Sequence, residues 1–308
     1  MSVRIFKDEA HQLLFDKQGF IVLPFITPSE IEELTNYFDA THPQVNQNGF
    51  FSDSYCSDFD FKKKASDKIV EVFNRAYQTY FTDFQPFGGS FLYKTPGVNS
   101  ELAAHQDWTI VDEQKDIALN CWVPLCDINE TNGALMILPG SHFANYPSLR
   151  APTLPFFFAG SEALVHQNLI PFYVPAGTAI ILNQSVIHYS QPNTSEKIRK
   201  AITAGIKNKG AQMHFHYKVP HEDKLEVFEE EDTFLIQFEN FAKEIMERPK
   251  LGVLQREIPY KVESISATEL ETIIRTMKEK AGFPFIQLNA VENRKQHFFQ
   301  RLLNRITH

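Results

Sequence analysis

The chain has 308 residues, 43% hydrophobic and 22% charged, the balance of a folded protein with a sizeable core. A formal net charge of −8 argues against a nucleic-acid partner, which would need a basic stripe, and no run approaches the ~18 apolar residues of a membrane span. Cys56, Cys121 and Cys126 supply no paired disulfide framework and no Cys-x-x-Cys knuckle, and the N-terminus has no apolar signal core, so a cytoplasmic protein is the expectation. Phenylalanine is over-represented, with 28 copies, which implies either an aromatic core or an apolar cavity. Nothing in the sequence sets an oligomeric state.

In chain order, residues 8–18 read as a helix stopped by Gly19, and 20–25 as a short apolar strand. Thr27-Pro28-Ser29-Glu30 opens a second helix with a capping box and a proline in its first turn, burying Ile31, Leu34 and Phe38. Residues 50–61 lack a period and read as loop, and 65–81 return to helical spacing. The period then becomes two. Strand-like runs at 89–94, 104–110, 117–124, 134–138, 170–174, 178–182, 186–190 and 199–207 are separated by Gly, Pro, Asn and Asp turns. Such a series predicts a jelly-roll sandwich or barrel. The interval 143–168 interrupts it, and its Phe156-Phe157-Phe158 run is expected to form a lid over a site. Past Pro220 the pattern turns helical. Phe234, Phe238, Phe241 and Ile245 share one face, Ser266 and Glu269 cap a helix ended by Gly282, and 291–306 form a basic amphipathic helix expected to pack on the barrel. The predicted organisation is one domain over 1–308, with a core at about 19–218 and a C-terminal helical extension at about 219–308.

Within this frame His105-Gln106-Asp107 carries the chemistry. Side chains two apart on a strand project together, so His105 and Asp107 would aim an imidazole nitrogen and a carboxylate oxygen at one point. A third imidazole would complete a facial set with open positions, the donor arrangement of non-haem Fe(II). His188 ends a later strand and can return beside the first pair. Arg199, at the head of the next strand, offers a planar fork matched to a carboxylate, and Ser190 shares the strand face of His188. An iron centre with a carboxylate clamp is the layout for a 2-oxo acid cosubstrate. His214-Phe215-His216 is a second alternating pair, but with no carboxylate or arginine at a suitable distance it reads as structural or substrate-facing. His142 reads as a residue that shapes a loop.

His105-Gln106-Asp107, then Asn132-Gly133-Ala134-Leu135 running into Pro139-Gly140-Ser141-His142, then His188 with Ser190 and Arg199, resembles the phytanoyl-CoA dioxygenase family over about 19–207. The resemblance implies a mainly β double-stranded β-helix (jelly-roll, cupin-like) with flanking helices. It also implies an Fe(II)- and 2-oxoglutarate-dependent dioxygenase. Such an enzyme uses O2 to hydroxylate an unactivated C–H bond of a small organic molecule, releasing succinate and CO2. By the same resemblance His105, Asp107 and His188 bind iron, and Arg199 and Ser190 hold 2-oxoglutarate. Trp122 and Asn120, on one strand face, lie beside that cosubstrate, and Gln106 and Lys94 are expected to contact cosubstrate or substrate. Related halogenating enzymes carry Gly or Ala where Asp107 stands, so hydroxylation is the expected outcome here. Two rival readings remain at this point: a metal-binding barrel without oxidative activity, as a sensor or silent relative, and a Zn²⁺ cupin-like isomerase or hydrolase. Residues 147–170 and those beyond 220 match the family poorly, and substrate identity is expected to reside there.

Overall fold

The computed structural model describes residues 3–42, 48–144, 149–262 and 264–282. The first helix, α1 (Glu9–Gln18), starts where the Asp8 side chain accepts from the His11 amide, and it stops at Gly19, whose φ of 81° suits a residue without Cβ. After β1 (Phe20–Pro24), α2 (Pro28–Thr41) opens with the expected capping box, Thr27 and Glu30 each satisfying the other's backbone amide. The stretch read as loop holds a short strand, β2 (Phe50–Ser52), and a 3-10 turn (Asp53–Tyr55). Helix α3 (Phe59–Tyr80) begins earlier than its apolar spacing suggests, because Asp58 caps it by accepting from Phe61 N.

The remaining elements are β3 (Phe84–Lys94), β4 (Leu102–His105), β5 (Ala118–Pro124), β6 (Leu135–Ile137), α4 (Glu162–His166), β7 (Ile170–Phe172), β8 (Thr178–Asn183), β9 (His188–Ser190), β10 (Arg199–Asn208), β11 (Met213–Lys218), β12 (Lys224–Glu230), α5 (Phe241–Glu244), β13 (Val253–Pro259) and α6 (Ala267–Ala281). They form a six-stranded sheet in the order β1-β8-β5-β10-β3-β2 and a four-stranded sheet in the order β4-β9-β6-β7, all pairs antiparallel.

Strand alternation sorts the side chains into layers. On β8, Ile180 and Leu182 join Trp122, Leu135, Ile137 and Phe172 in a cluster drawn from both sheets, while Ala179 and Ile181 face a second cluster with Phe15, Leu34, Ile69, Phe73 and Tyr77 of the first three helices. A third cluster covers the outer side of the four-stranded sheet with Leu270, Ile274 and Met277 of α6. Two sheets face to face with helices outside are the jelly-roll sandwich that the strand pattern predicts and the double-stranded β-helix that the resemblance implies.

Three expectations are corrected. The region after Pro220 is only partly helical: β11, β12 and β13 make a third, antiparallel sheet, and the Phe234–Ile245 stretch forms a 3-10 turn and the short α5 in place of one long helix. The Phe156–Phe158 run forms no lid. Phe157 and Phe158 are buried with Leu138, Ile187 and the α6 side chains, and Phe156 lies half-exposed, stacked on Phe158 at 5.3 Å. Strand β4 also ends at His105, so Asp107 lies on the irregular segment beyond it. The helix expected at 291–306 lies outside the described residues.

Candidate active site

His105 and His188 meet because β4 pairs with β9 in the register that sets these two residues opposite each other. Their ring centroids are 4.2 Å apart. His105 Nδ1 lies 2.7 Å from the Ala103 carbonyl and His188 Nδ1 3.0 Å from that of Val186. A carbonyl can only accept, so each Nδ1 carries a proton and each Nε2 is the nitrogen left to meet a metal. Both Nε2 atoms lie 3.9 Å from Asp107 Oδ1, and the donor atoms of the three residues fall within 4.8 Å of one another. Burial, and then the neighbouring His188, push the His105 pKa down to about 4 against the pull of Asp107. The ring is therefore neutral at physiological pH, the form that ligates a metal.

Asp107 is held from both ends. Asn120 Nδ2 donates to its Oδ2 at 3.1 Å, and Thr203 Oγ1 donates in turn to Asn120 Oδ1, leaving Oδ1 toward the two rings. The Asp107 backbone carbonyl accepts from Arg150 Nε at 2.8 Å, and the Arg150 guanidinium is paired with the Glu113 carboxylate. Gln106 Nε2 donates to the Ser185 carbonyl at 2.6 Å, tying the segment to the turn before β9. Partners of this kind orient metal ligands and raise their basicity.

A cavity of about 440 Å³ contains these residues together with Asn120, Trp122, Gln184, Ser190 and Arg199. Arg199 is 1% exposed, yet its Nε and Nη1 have no hydrogen-bond partner among the described residues. Its guanidinium sits 5.5 Å from the Trp122 ring centroid, and burial brings its pKa down to about 10, so it stays charged. A buried cation without a counter-ion is costly, and its presence on a cavity wall fits an anionic ligand. The Ser190 hydroxyl, which among the described residues makes only a 3.4 Å contact to the Gly133 carbonyl, lines the same cavity.

Lys94 departs from its expected role. It is fully buried beside Arg199 in the β3–β10 register, but its Nζ donates to the Ser190 and Gln191 carbonyls at 2.9 and 2.6 Å and it does not line the cavity. Its two bonds support the end of β9 from behind, and burial, and then the Arg199 charge, lower its pKa to about 6. His214 and His216 stay apart from the donor set: His216 Nδ1 is bonded to the Thr109 carbonyl at 2.9 Å, and no carboxylate joins the pair in a metal-sized cluster among the described residues. His142 Nε2 meets the Asp16 carbonyl at 2.9 Å, consistent with shaping a loop. Sequence reasoning missed Tyr55, Phe87, Leu235, Ile236 and Phe241 on the cavity lining. Phe87 falls at the irregularity in the β3–β10 ladder, and its ring is accommodated over Gly205 of β10, where a Cβ would fall 2.0 Å from it.

Fold and site together define a double-stranded β-helix protein with a His/Asp/His donor set and a buried anion clamp. Residues 74–201, which include all three donors and Arg199, match the family model of phytanoyl-CoA dioxygenase. Phytanoyl-CoA dioxygenase domain-containing protein 1 of Danio rerio is 33% identical over 123 residues, which span 38% of this chain and 42% of that protein. Phytanoyl-CoA dioxygenase 1 of Oryza sativa is 23% identical over 241 residues, 62% of this chain and 86% of its own length. Among solved structures, SnoK, a non-heme alpha ketoglutarate dependent carbocyclase from nogalamycin biosynthesis, shares the fold with a TM-score of 0.52 at 13% identity, over 67% of this chain and 86% of SnoK. No helix among the described residues is long and apolar enough to cross a membrane.

Proposed function

We propose that the chain is an Fe(II)- and 2-oxoglutarate-dependent dioxygenase that hydroxylates an unactivated C–H bond of a small organic substrate. One observation carries the reading: a single cavity holds both a His/Asp/His donor set and a buried guanidinium that has no counter-ion among the described residues. His105, Asp107 and His188 would hold the iron, a set of two imidazoles and one carboxylate that suits a non-haem iron with room for further ligands. The far carboxylate of 2-oxoglutarate supplies what Arg199 lacks, with Ser190 as a further donor and Trp122 covering the guanidinium face. When bound, the metal with 2-oxoglutarate and O2 supplies the oxidation: one oxygen atom enters the C–H bond as a hydroxyl, the other ends in succinate, and CO2 leaves.

The chain's own contribution is orientation. The Ala103 and Val186 carbonyls hold the two rings with Nε2 toward the cavity, and Asn120 and Arg150 hold Asp107 between them. Anaerobic Fe(II) titration and succinate release test the assignment together. His105→Ala, Asp107→Ala and His188→Ala should each abolish turnover and weaken iron binding, while His214→Ala and His216→Ala leave binding intact. Near-normal iron affinity in Asp107→Ala, alongside loss in His214→Ala, would overturn it.

A further inference from the structure

Part of the cavity lining is used by neither the donor set nor the Arg199 pocket. Its walls are Tyr55, Trp108, Leu235, Ile236, Phe241 and Ile245. The last four lie outside the 74–201 span matched to the family, in the stretch between β12 and β13. Three contacts hold this wall in place. The Phe241 ring stacks on Trp108 with centroids 5.9 Å apart and planes 11° apart, and it packs 5.4 Å from Tyr55. From α3, Lys62 Nζ donates to the Phe238 carbonyl. Trp108 directly follows Asp107, so the wall abuts the segment that carries a metal donor.

The charges on this side of the cavity are already engaged. Asp53 accepts from the Phe91 amide at 3.0 Å and meets His42 Nε2 at 2.8 Å, and Lys62 is turned to Phe238. The hydroxyls of Ser52, Ser54 and Ser90 bond to one another at 2.7 and 2.8 Å. An ionic group on a ligand would lose its hydration here and would have to break one of these bonds to gain a partner, whereas apolar surface would be buried against rings and aliphatic side chains.

We propose that this wall selects an uncharged, predominantly apolar substrate, taken free and not as an acyl thioester or a salt, with Phe241 as the specificity-determining contact. The inference rests on the oxygenase reading of the same cavity. The chain holds two tryptophans, Trp108 and Trp122, and both line the cavity. Trp122→Phe leaves a reporter on the wall, and Trp108→Phe leaves one beside Arg199. With Mn(II) in place of Fe(II), each protein is titrated with 1-decanol, decanoate, decanoyl-CoA and 2-oxoglutarate.

The Trp108 signal should saturate with 1-decanol at an affinity at least about tenfold above that for decanoate or decanoyl-CoA, a difference of ~1.4 kcal/mol. Phe241→Ala should weaken decanol binding at least about fivefold while the 2-oxoglutarate response of Trp122 persists. Ile236→Ala, on the same wall, serves as the second variant if Phe241→Ala loses its cooperative melt. No decanol response, equal or tighter binding of decanoate or the thioester, or indifference to both wall substitutions would overturn the proposal. A missing 2-oxoglutarate response with decanol selectivity intact would instead sink the oxygenase reading and leave the selectivity of the wall standing.

Discussion

Arg199 is the position where stability and function should move in opposite directions. Its guanidinium is 1% exposed, charged at neutral pH and unpaired at Nε and Nη1 among the described residues. Replacing a buried ionic group by an apolar one of similar length is often stabilising by about 1–4 kcal/mol. Arg199→Met keeps a flexible apolar side chain against Trp122, so the ligand-free variant should melt a few degrees above the parent, at about 1.5 °C per kcal/mol for a chain of this length. The same change removes the partner of the far carboxylate of 2-oxoglutarate, at a cost of about 2–5 kcal/mol for a desolvated pair. At ~1.4 kcal/mol per tenfold, KM for 2-oxoglutarate should rise roughly thirtyfold to several thousandfold. Melting curves with and without 2-oxoglutarate, run beside succinate formation, read both effects. In the parent, ligand at about a hundred times Kd adds about 2.7 kcal/mol, and in the variant this increment should vanish. Arg199→Lys should recover only part of the affinity, since an ammonium lacks the paired donors. A destabilised Arg199→Met protein with a normal KM would refute the reasoning, because the guanidinium would then serve the fold and the acid would be held elsewhere.

Asn120→Ala removes the bond that turns Asp107 toward the rings and should weaken Fe(II) binding about 10–100-fold in anaerobic titration; unchanged affinity would mean the carboxylate needs no such support. Phe158→Ala should cost about 3–5 kcal/mol of stability with succinate and product still formed in equal amounts, and Phe156→Ala, at 37% exposure, should cost far less. Excess succinate over product in the Phe158 variant would restore a lid role. Glu30 is held down to a pKa of about 2, chiefly by its hydrogen bond from Arg75. Its stabilisation is present above the ordinary carboxyl pKa of 4.5 and fades as pH falls through about 2, so Glu30→Gln should flatten the acid limb of the melting profile between those values. An acid limb that keeps its slope would assign the acid sensitivity to other carboxylates.

The parts of the fold that could be read ahead of the coordinates are those whose causes are local. Caps at Thr27 and Ser266 and the stop at Gly19 act within one helical turn, and the structure places helix ends at each. Of the six-stranded sheet, β1, β5, β8, β10 and the second half of β3 were readable as apolar runs closed by Gly, Pro, Asn and Asp turns, whereas β2 lies in a stretch read as loop. The hairpin β11–β12 and its neighbour β13 escaped for a physical reason. Leu225, Glu226, Val227 and Phe228 of β12 are all buried, so no alternation marks the strand, and β13 is largely exposed with charged residues among its apolar ones. Phe234, Phe238 and Phe241 do touch in sequence, at 6.3 and 5.6 Å, but around a 3-10 turn and a short helix.

The donor set was found by an argument that holds for only one of its members. His105 is on a strand, whereas Asp107 lies beyond the end of β4, and alternation cannot place it. Its position comes from long-range bonds: Asn120 on β5 fixes the carboxylate, Arg150 fixes the backbone, and the β4–β9 register brings His188 alongside. The spacing was informative because the chemistry needs those residue types, whatever backbone carries them. The apolar wall has no such chemical signature. It is assembled from Tyr55, Trp108 and the 235–245 segment, joined across the chain by Lys62 to Phe238 and by Phe241 to Trp108. Any of those side chains, read alone, is an ordinary core residue. Only their convergence on the cavity that also holds Asp107 makes them candidates for choosing the substrate, and that convergence is a property of the folded chain.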